Sequence, residues 1–430
     1  MSNSLACWVP YKEINFYVPT GYVTYCCKHH FRYVPKLDDF EHGKDFLNNN
    51  HLNDLKKDLL DGQQIDICRT CWKSENNNEQ SWRQTEGVIP EKYNNIEALQ
   101  SSDAYYDQVA LYFDNTCDMK CVYCGPGLSS KWEAEQTLVQ QGKVQVEYKR
   151  PIVEVNRDKE IYNSRIQKIH EFLEELGKHA GKKQDCINLT ILGGEPLLSP
   201  EIKDSKFLKY IDSFFKYANK DFQLIFTIHS NGNTPKKVLD RFLNDVKLAK
   251  ENYKNLQLKI IISIDAIGTP SEYIRSGSNW ITVDSNINTY YNSDAVNQLG
   301  FSPTLTLFSI PTLPEFIDYY INLSKTYDSK INMSVGVAFN PPHMNPYILT
   351  KEFSHYIELA LDKINNNSDC FTDISLKLWQ QRLSNLLDSI KEKSNIDKDT
   401  KSDLQKFLDY TIIMRNQNVY DYIPEIRKLL

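Results

Sequence analysis

The chain has 430 residues, enough for roughly two or three domains and a substantial buried core. Hydrophobic residues make up 41% of it, which excludes a disordered chain, and a net charge of −6 with interspersed acids and bases argues against nucleic-acid binding. No apolar run approaches the ~18 residues needed to span a membrane, and the stretch from Met1 to Trp8 lacks a charged segment followed by an apolar one, so a soluble cytoplasmic protein is expected.

Three regions follow one another. Residues 1–100 carry aromatics, few long apolar periods and five cysteines, Cys7, Cys26, Cys27, Cys68 and Cys71. Residues 101–345 alternate β-rich apolar runs with helical patterns, the mark of a parallel sheet built from βα units. Six candidate strands are predicted: Gln108 to Asp114, Ile187 to Leu192, Phe222 to His229, Leu256 to Asp265, Thr304 to Ile310 and Ile331 to Ala338. They make an α/β fold, an open partial (β/α)6 barrel. Amphipathic segments such as Ile166 to Leu176 repeat apolar residues every three or four positions and are predicted to cover the sheet as helices. Residues 346–430 are predicted to be helical, with a Leu378, Leu383, Leu386, Leu387 stripe that packs against the barrel or a second subunit. Residues 131–165 read as a long insertion, with a lid over the barrel mouth as the other possibility.

In a reducing compartment the ten cysteines read as metal ligands rather than disulfides. After the first predicted strand come Cys117, Cys121 and Cys124, spaced C-x3-C-x2-C. An iron–sulfur cluster normally takes four thiolates, so three suggest a cubane with one iron open to a small molecule. Zinc is the alternative, with Asp118 or a distant His as fourth ligand. The second predicted strand ends in Gly193-Gly194-Glu195-Pro196, the third in His229-Ser230-Asn231-Gly232, and the fourth in Ser263-Ile264-Asp265. Ligands of parallel α/β folds lie at the carboxyl ends of the strands, so these pieces are expected around one pocket.

With Tyr123 just before the last cysteine and Gly193-Gly194-Glu195-Pro196 downstream, the chain resembles the radical S-adenosylmethionine (SAM) enzymes. The resemblance implies a [4Fe-4S] cluster on Cys117, Cys121 and Cys124 that binds SAM. It also implies reductive cleavage to methionine and a 5′-deoxyadenosyl radical, which abstracts hydrogen from a substrate. Gly193 and Gly194 would let backbone approach the methionine amino group, and Glu195 would accept from that ammonium or brace the turn. Ser230 and Asn231 resemble the ribose-contacting segment; Ser263 and Asp265 would serve the ribose or the methionine carboxylate. Arg275 resembles an arginine that pairs with the SAM carboxylate, for which its fork is suited. Residues 125–130, Gly-Pro-Gly-Leu-Ser-Ser, read as backbone around the cluster, with amides toward its sulfurs.

Cys7, Gly21, Cys26 and Cys68-x2-Cys71 resemble a twitch domain, half of a SPASM domain, extended by Trp72 and Trp82. This implies an auxiliary [4Fe-4S] cluster on Cys7, Cys26, Cys68 and Cys71, with a tight turn at Gly21 between two strands. It would accept an electron or bind the substrate. In most relatives the unit follows the barrel; here it precedes it. A structural zinc site is the alternative, with mixed ligands from Cys26, Cys27, His29 and His30. Cys27 reads as a spare thiol, the two histidines as exposed, and Cys186 and Cys370 as ordinary thiols. The family implies a peptide or small-metabolite substrate and a flavodoxin- or ferredoxin-type reductant, and leaves catalytic side chains unassigned. The alternatives are a non-catalytic iron–sulfur or SAM-binding module and an RNA-modifying enzyme.

Overall fold

The computed structural model of the chain describes residues 7–76, 81–88, 106–152, 155–182 and 185–430. The expected boundary at 100/101 and the residues before Cys7 lie outside the described residues.

Seven strands form one sheet: β1 (Glu13–Tyr17), β2 (Tyr22–Thr24), β3 (Gln108–Tyr112), β4 (Cys186–Leu192), β5 (Gln223–Ser230), β6 (Leu256–Ile262) and β7 (Gln298–Phe301). Their spatial order is β2-β1-β3-β4-β5-β6-β7, and every pair is parallel except the β1–β2 hairpin. Alternation sets the faces: in β4 Ile187, Leu189 and Ile191 are buried while Asn188, Thr190 and Leu192 are half-buried. The buried set packs under helices Lys159–His179, Phe207–Phe215 and Lys236–Asn252. The first two of these helices come close at Gly177, where a Cβ would lie 2.2 Å from the Phe214 carbonyl.

The N-terminal cysteine-rich segment shares this sheet. Glu13 to Tyr17 of β1 pair in parallel with Gln108 to Tyr112 of β3. The β1–β2 turn is made at Gly21, whose φ of +78° favours glycine and whose N–H donates to the Tyr17 carbonyl at 2.7 Å.

Two predicted strands are corrected. The strand beside β6 is β7, Gln298–Phe301, and not Thr304 to Ile310. Pro303 has no N–H for the ladder, so pairing with β6 stops before it. Beyond it Thr304–Leu305 pairs with Gly336–Val337 as a separate parallel ribbon, and Thr306 and Ser309 close a turn on each other. Of Ile331 to Ala338 only Gly336–Val337 is strand, and single parallel bridges join Phe301 with Met333 and Ile331 with Phe371.

The C-terminal region is helical as expected, in Ser354–Asn366, Asp373–Ile390 and Lys398–Arg415. Leu383 and Leu386 are buried, whereas Leu378 and Leu387 are partly covered. Among the described residues no helix is long and apolar enough to cross a membrane.

Candidate functional site

The loop leaving β3 is tied down before it reaches its first cysteine. Asp114 Oδ1 accepts from the Thr116 N–H at 2.7 Å, and the Cys117 N–H donates to Ser130 Oγ at 3.2 Å. Lys120–Cys121 pairs antiparallel with Arg275–Ser276, the Cys124 N–H donates to the Cys121 carbonyl, and Trp132 Nε1 donates to that same carbonyl at 2.9 Å. Residues 131–165 therefore begin with a helix, Ser130–Gln140, that holds the cysteine loop.

Cys121 is buried and Cys117 and Cys124 are half-buried. Burial pushes the Cys121 thiol up to about 12, opposed by the charge of Arg275 and reinforced by Cys124. Burial also raises Cys117, with Cys121 adding to it. Cys124 is raised by burial and pulled back by the Gly125 backbone and by Arg150, Arg275 and Arg415. Three thiols and three guanidiniums thus share one neighbourhood, which suits an anionic metal–thiolate group.

The turn after β4 locks onto this loop. Gly194 has φ +53°, and a Cβ there would sit 2.2 Å from the Thr116 carbonyl, to which the Glu195 N–H donates at 2.6 Å. Gly193, at φ +86°, lies against Tyr112. Glu195 is buried, and its carboxylate accepts from Leu197 N–H, Ser230 Oγ and Asn231 N–H at 3.1, 3.0 and 2.6 Å. Of its two expected roles, bracing the turn is the one this geometry displays. Burial raises its carboxyl to about 7. Asn231 and Asn233 donate to the two oxygens of Asp118 at 2.8 and 2.7 Å, fixing the residue next to Cys117.

Tyr123, Asp265 and Arg275 meet behind the loop. Tyr123 OH donates to Asp265 Oδ2 at 2.8 Å, Arg275 Nη1 lies 3.0 Å from the same oxygen, and Nη1 also donates to Tyr123 OH at 2.6 Å. The Thr304 N–H donates to Asp265 Oδ1 at 2.7 Å. Arg275 Nε is buried without a hydrogen-bond partner among the described residues. Ser263 is half-buried, its N–H bound to the Ser230 carbonyl.

The second thiol set also converges. Cys7, Cys26, Cys68 and Cys71 line one small enclosed cavity with Pro10, Lys28, His29, Trp82 and Arg83. Burial raises Cys7 and Cys68 to about 12, and the charge of Arg83 opposes this at Cys7, Cys68 and Cys71. Backbone N–H groups of Val9, Lys28 and Arg83 face Cys7, Cys26 and Cys71 respectively. Cys27 does not line this cavity and is exposed, but its thiol lies within 4.8 Å of both the Cys26 thiol and a Glu13 carboxylate oxygen. His29 corrects the expectation of exposure: it is buried, both ring nitrogens lack hydrogen-bond partners among the described residues, and burial drives its pKa to about 3. Cys186 is half-buried at the start of β4 and Cys370 is buried.

Sequence reasoning missed Arg150 and Arg415, which flank the Trp132 ring at 5.2 and 4.3 Å from its centroid. Neither carries a local motif. Asn233, two residues beyond Asn231, was within reach of the motif that found Asn231.

No family model matches this chain and no curated protein does. Among solved structures, "Native anSMEcpe with bound AdoMet" is 14% identical with a TM-score of 0.40, over 61% of this chain and 62% of that one. The same protein with AdoMet and the Kp18Cys peptide gives 13% and 0.41 over 61% and 62%. "Structure of TYW1 with a lysine-pyruvate adduct bound" gives 14% and 0.27 over 60% and 72%. The chain spans about three fifths of the length of the anSMEcpe structures it matches.

Proposed function

We propose that the chain is a radical SAM enzyme that abstracts hydrogen from a peptide or small-metabolite substrate. The observation that carries this is the joining of the Cys117, Cys121, Cys124 loop to the Gly193-Gly194-Glu195 turn at the carboxyl end of a parallel sheet. The donor set fits a three-thiolate cluster: Cys117, Cys121 and Cys124 lie on one loop, and the charges of Arg150, Arg275 and Arg415 favour the Cys124 thiolate. A [4Fe-4S] cluster with SAM would supply one-electron reduction and a 5′-deoxyadenosyl radical. The protein's part is to hold and shield. Gly194 keeps the backbone of the turn against Thr116, Asp118 is held by Asn231 and Asn233, and Arg275 offers an unpaired Nε beside Tyr123 and Asp265.

The four-thiol cavity fits an auxiliary [4Fe-4S] cluster, with backbone N–H groups toward its sulfurs to tune the potential. The buried, unpaired His29 in the same cavity keeps a Cys/His zinc site as the second reading. A flavodoxin- or ferredoxin-type reductant would feed electrons in.

The test is anaerobic reconstitution, with iron, sulfide and zinc counted and dithionite-driven 5′-deoxyadenosine formation followed. It compares the native chain with a Cys117, Cys121, Cys124 triple Ala variant. About eight irons falling to about four, with all cleavage lost, is the expected result. Four irons plus zinc would make the N-terminal site structural, and full clusters without cleavage would make the protein a binding module.

A further inference from the structure

The strand registers stack the side chains on the face turned away from the helices into layers. One layer runs Asn15, Ala110, Thr190, Thr227, Lys259, Gln298 from β1 across to β7. A parallel sheet buried on both faces carries continuous Val, Ile and Leu, as Leu258, Ile260 and Ile262 do on the helix side. The polar face is therefore not explained by the core.

Three of its neutral groups bond in a chain: Thr227 Oγ1 donates to Asn188 Oδ1 at 2.6 Å, and Asn188 Nδ2 to Gln108 Oε1 at 3.1 Å. Its one carboxylate, Glu13 on β1, accepts from Asn15 Nδ2 and the Cys27 N–H at 2.8 and 2.5 Å. Lys259 is different. It is a half-buried cation at the middle of β6, and no hydrogen bond or ion pair to it occurs among the described residues. Its charge is felt by His229, one layer nearer the carboxyl ends, where His229 pairs with Ile261. Burial, and then the Lys259 charge, drive that imidazole to about 4, so it stands neutral beside the ammonium. A cation taken partly out of water without a counter-charge is costly. An arriving anion removes that cost.

We propose that this polar face is the substrate's seat and that Lys259, with His229 above it, receives an anionic group of the substrate, a carboxylate or a phosphate. Lys259 stands three strands from β3, the strand that feeds the Cys117 loop, or about 14 Å at the usual strand spacing. The substrate therefore extends across the sheet, with its anion on the side away from the thiol loop. A peptide or amino-acid carboxylate and a phosphorylated metabolite share this chemistry. The inference rests on the enzyme reading for which side the substrate enters, but anion binding needs neither iron nor SAM cleavage, so the two fail separately.

Calorimetric titration of the reconstituted protein with acetylglycine and with inorganic phosphate, for the native chain, Lys259→Gln and Lys259→Arg, tests it. The expected result is saturable binding of at least one probe, weakened about tenfold or more by Lys259→Gln, as loss of a charge-assisted hydrogen bond implies, and kept within about threefold by Lys259→Arg. Acetylglycine alone would assign a carboxylate and phosphate alone a phosphorylated substrate. An iodide soak of native crystals, independent of how the variants fold, is expected to give an anomalous peak at Lys259 Nζ. Absence of saturable binding and of that peak, or equal binding by Lys259→Gln, overturns the proposal.

Discussion

Arg415, the last residue of helix Lys398–Arg415, forks onto Glu135 in the helix that holds the cysteine loop: Nη2 lies 3.0 Å and Nε 3.2 Å from Oε2. Its Nη1 donates to the Lys120 carbonyl at 2.9 Å, one residue before Cys121. The two side chains are 1% and 9% exposed, so this ion pair is buried. The end of the chain thereby clamps the thiol loop across 280 residues of sequence.

Arg415→Met leaves Glu135 buried with Lys120 Nζ and Tyr410 OH as its partners among the described residues, at 2.6 and 2.8 Å. Because Lys120 still balances the carboxylate, loss of the fork is expected to lower stability by about 2 kcal/mol, as for hydrogen bonds to a charged group, and adding Glu135→Gln to cost less than the sum of the two. Denaturant unfolding of the two single variants and the double variant measures the coupling. Additive losses would show that the fork contributes nothing as a pair.

Gly194→Ala and Gly268→Ala separate backbone strain from crowding. Both sites have positive φ, +53° and +61°, but a Cβ at Gly194 meets the Thr116 carbonyl at 2.2 Å, whereas nothing lies within 4 Å of one at Gly268. Gly268→Ala is expected to cost about 1 kcal/mol and Gly194→Ala about 3 kcal/mol or more, with loss of iron from the first site only in the latter. Melting temperature and iron content after reconstitution report both effects.

In the Tyr123, Asp265, Arg275 group the charges matter more than the phenol. Tyr123→Phe removes one hydroxyl that donates to Asp265 and accepts from Arg275, for about 1 kcal/mol. Arg275→Met strands a buried carboxylate and is expected to cost about 3 kcal/mol. Asp265→Asn combined with Arg275→Met should recover part of that loss. If the double variant melts no higher than Arg275→Met, the stranded charge is not the cause.

His343 predicts an acid-side loss of stability. It lies between the Tyr148 and Phe407 rings, at 5.5 and 5.9 Å, and burial lowers its pKa to about 4 against an ordinary 6.5. The unfolded chain then binds more protons than the folded one between those values, so its contribution is intact above about pH 6.5 and disappears as pH falls toward 4. Over that window the change is about 3 kcal/mol. His343→Leu is expected to flatten the acid limb of melting temperature against pH, and an unchanged limb would assign it to other groups.

The thiol spacing, the Gly193-Gly194-Glu195 turn and the alternating strands β4 and β6 were legible in the sequence because each is local. Three donors within eight residues, a glycine where backbone must approach backbone, and a period of two are all fixed by neighbours along the chain. The strands after β6 were not legible, since the apolar run from Leu305 to Ile310 reads as a strand until Pro303 stops its pairing with β6. Tertiary structure alone decided that β1 adds to β3, that Asp265 faces Arg275, and that Arg150 and Arg415 flank Trp132 beside the loop. It also left Lys259, on a polar sheet face, without a counter-ion among the described residues. Those relationships depend on which strands become neighbours and which charges lose water together, and no run of adjacent residues encodes either.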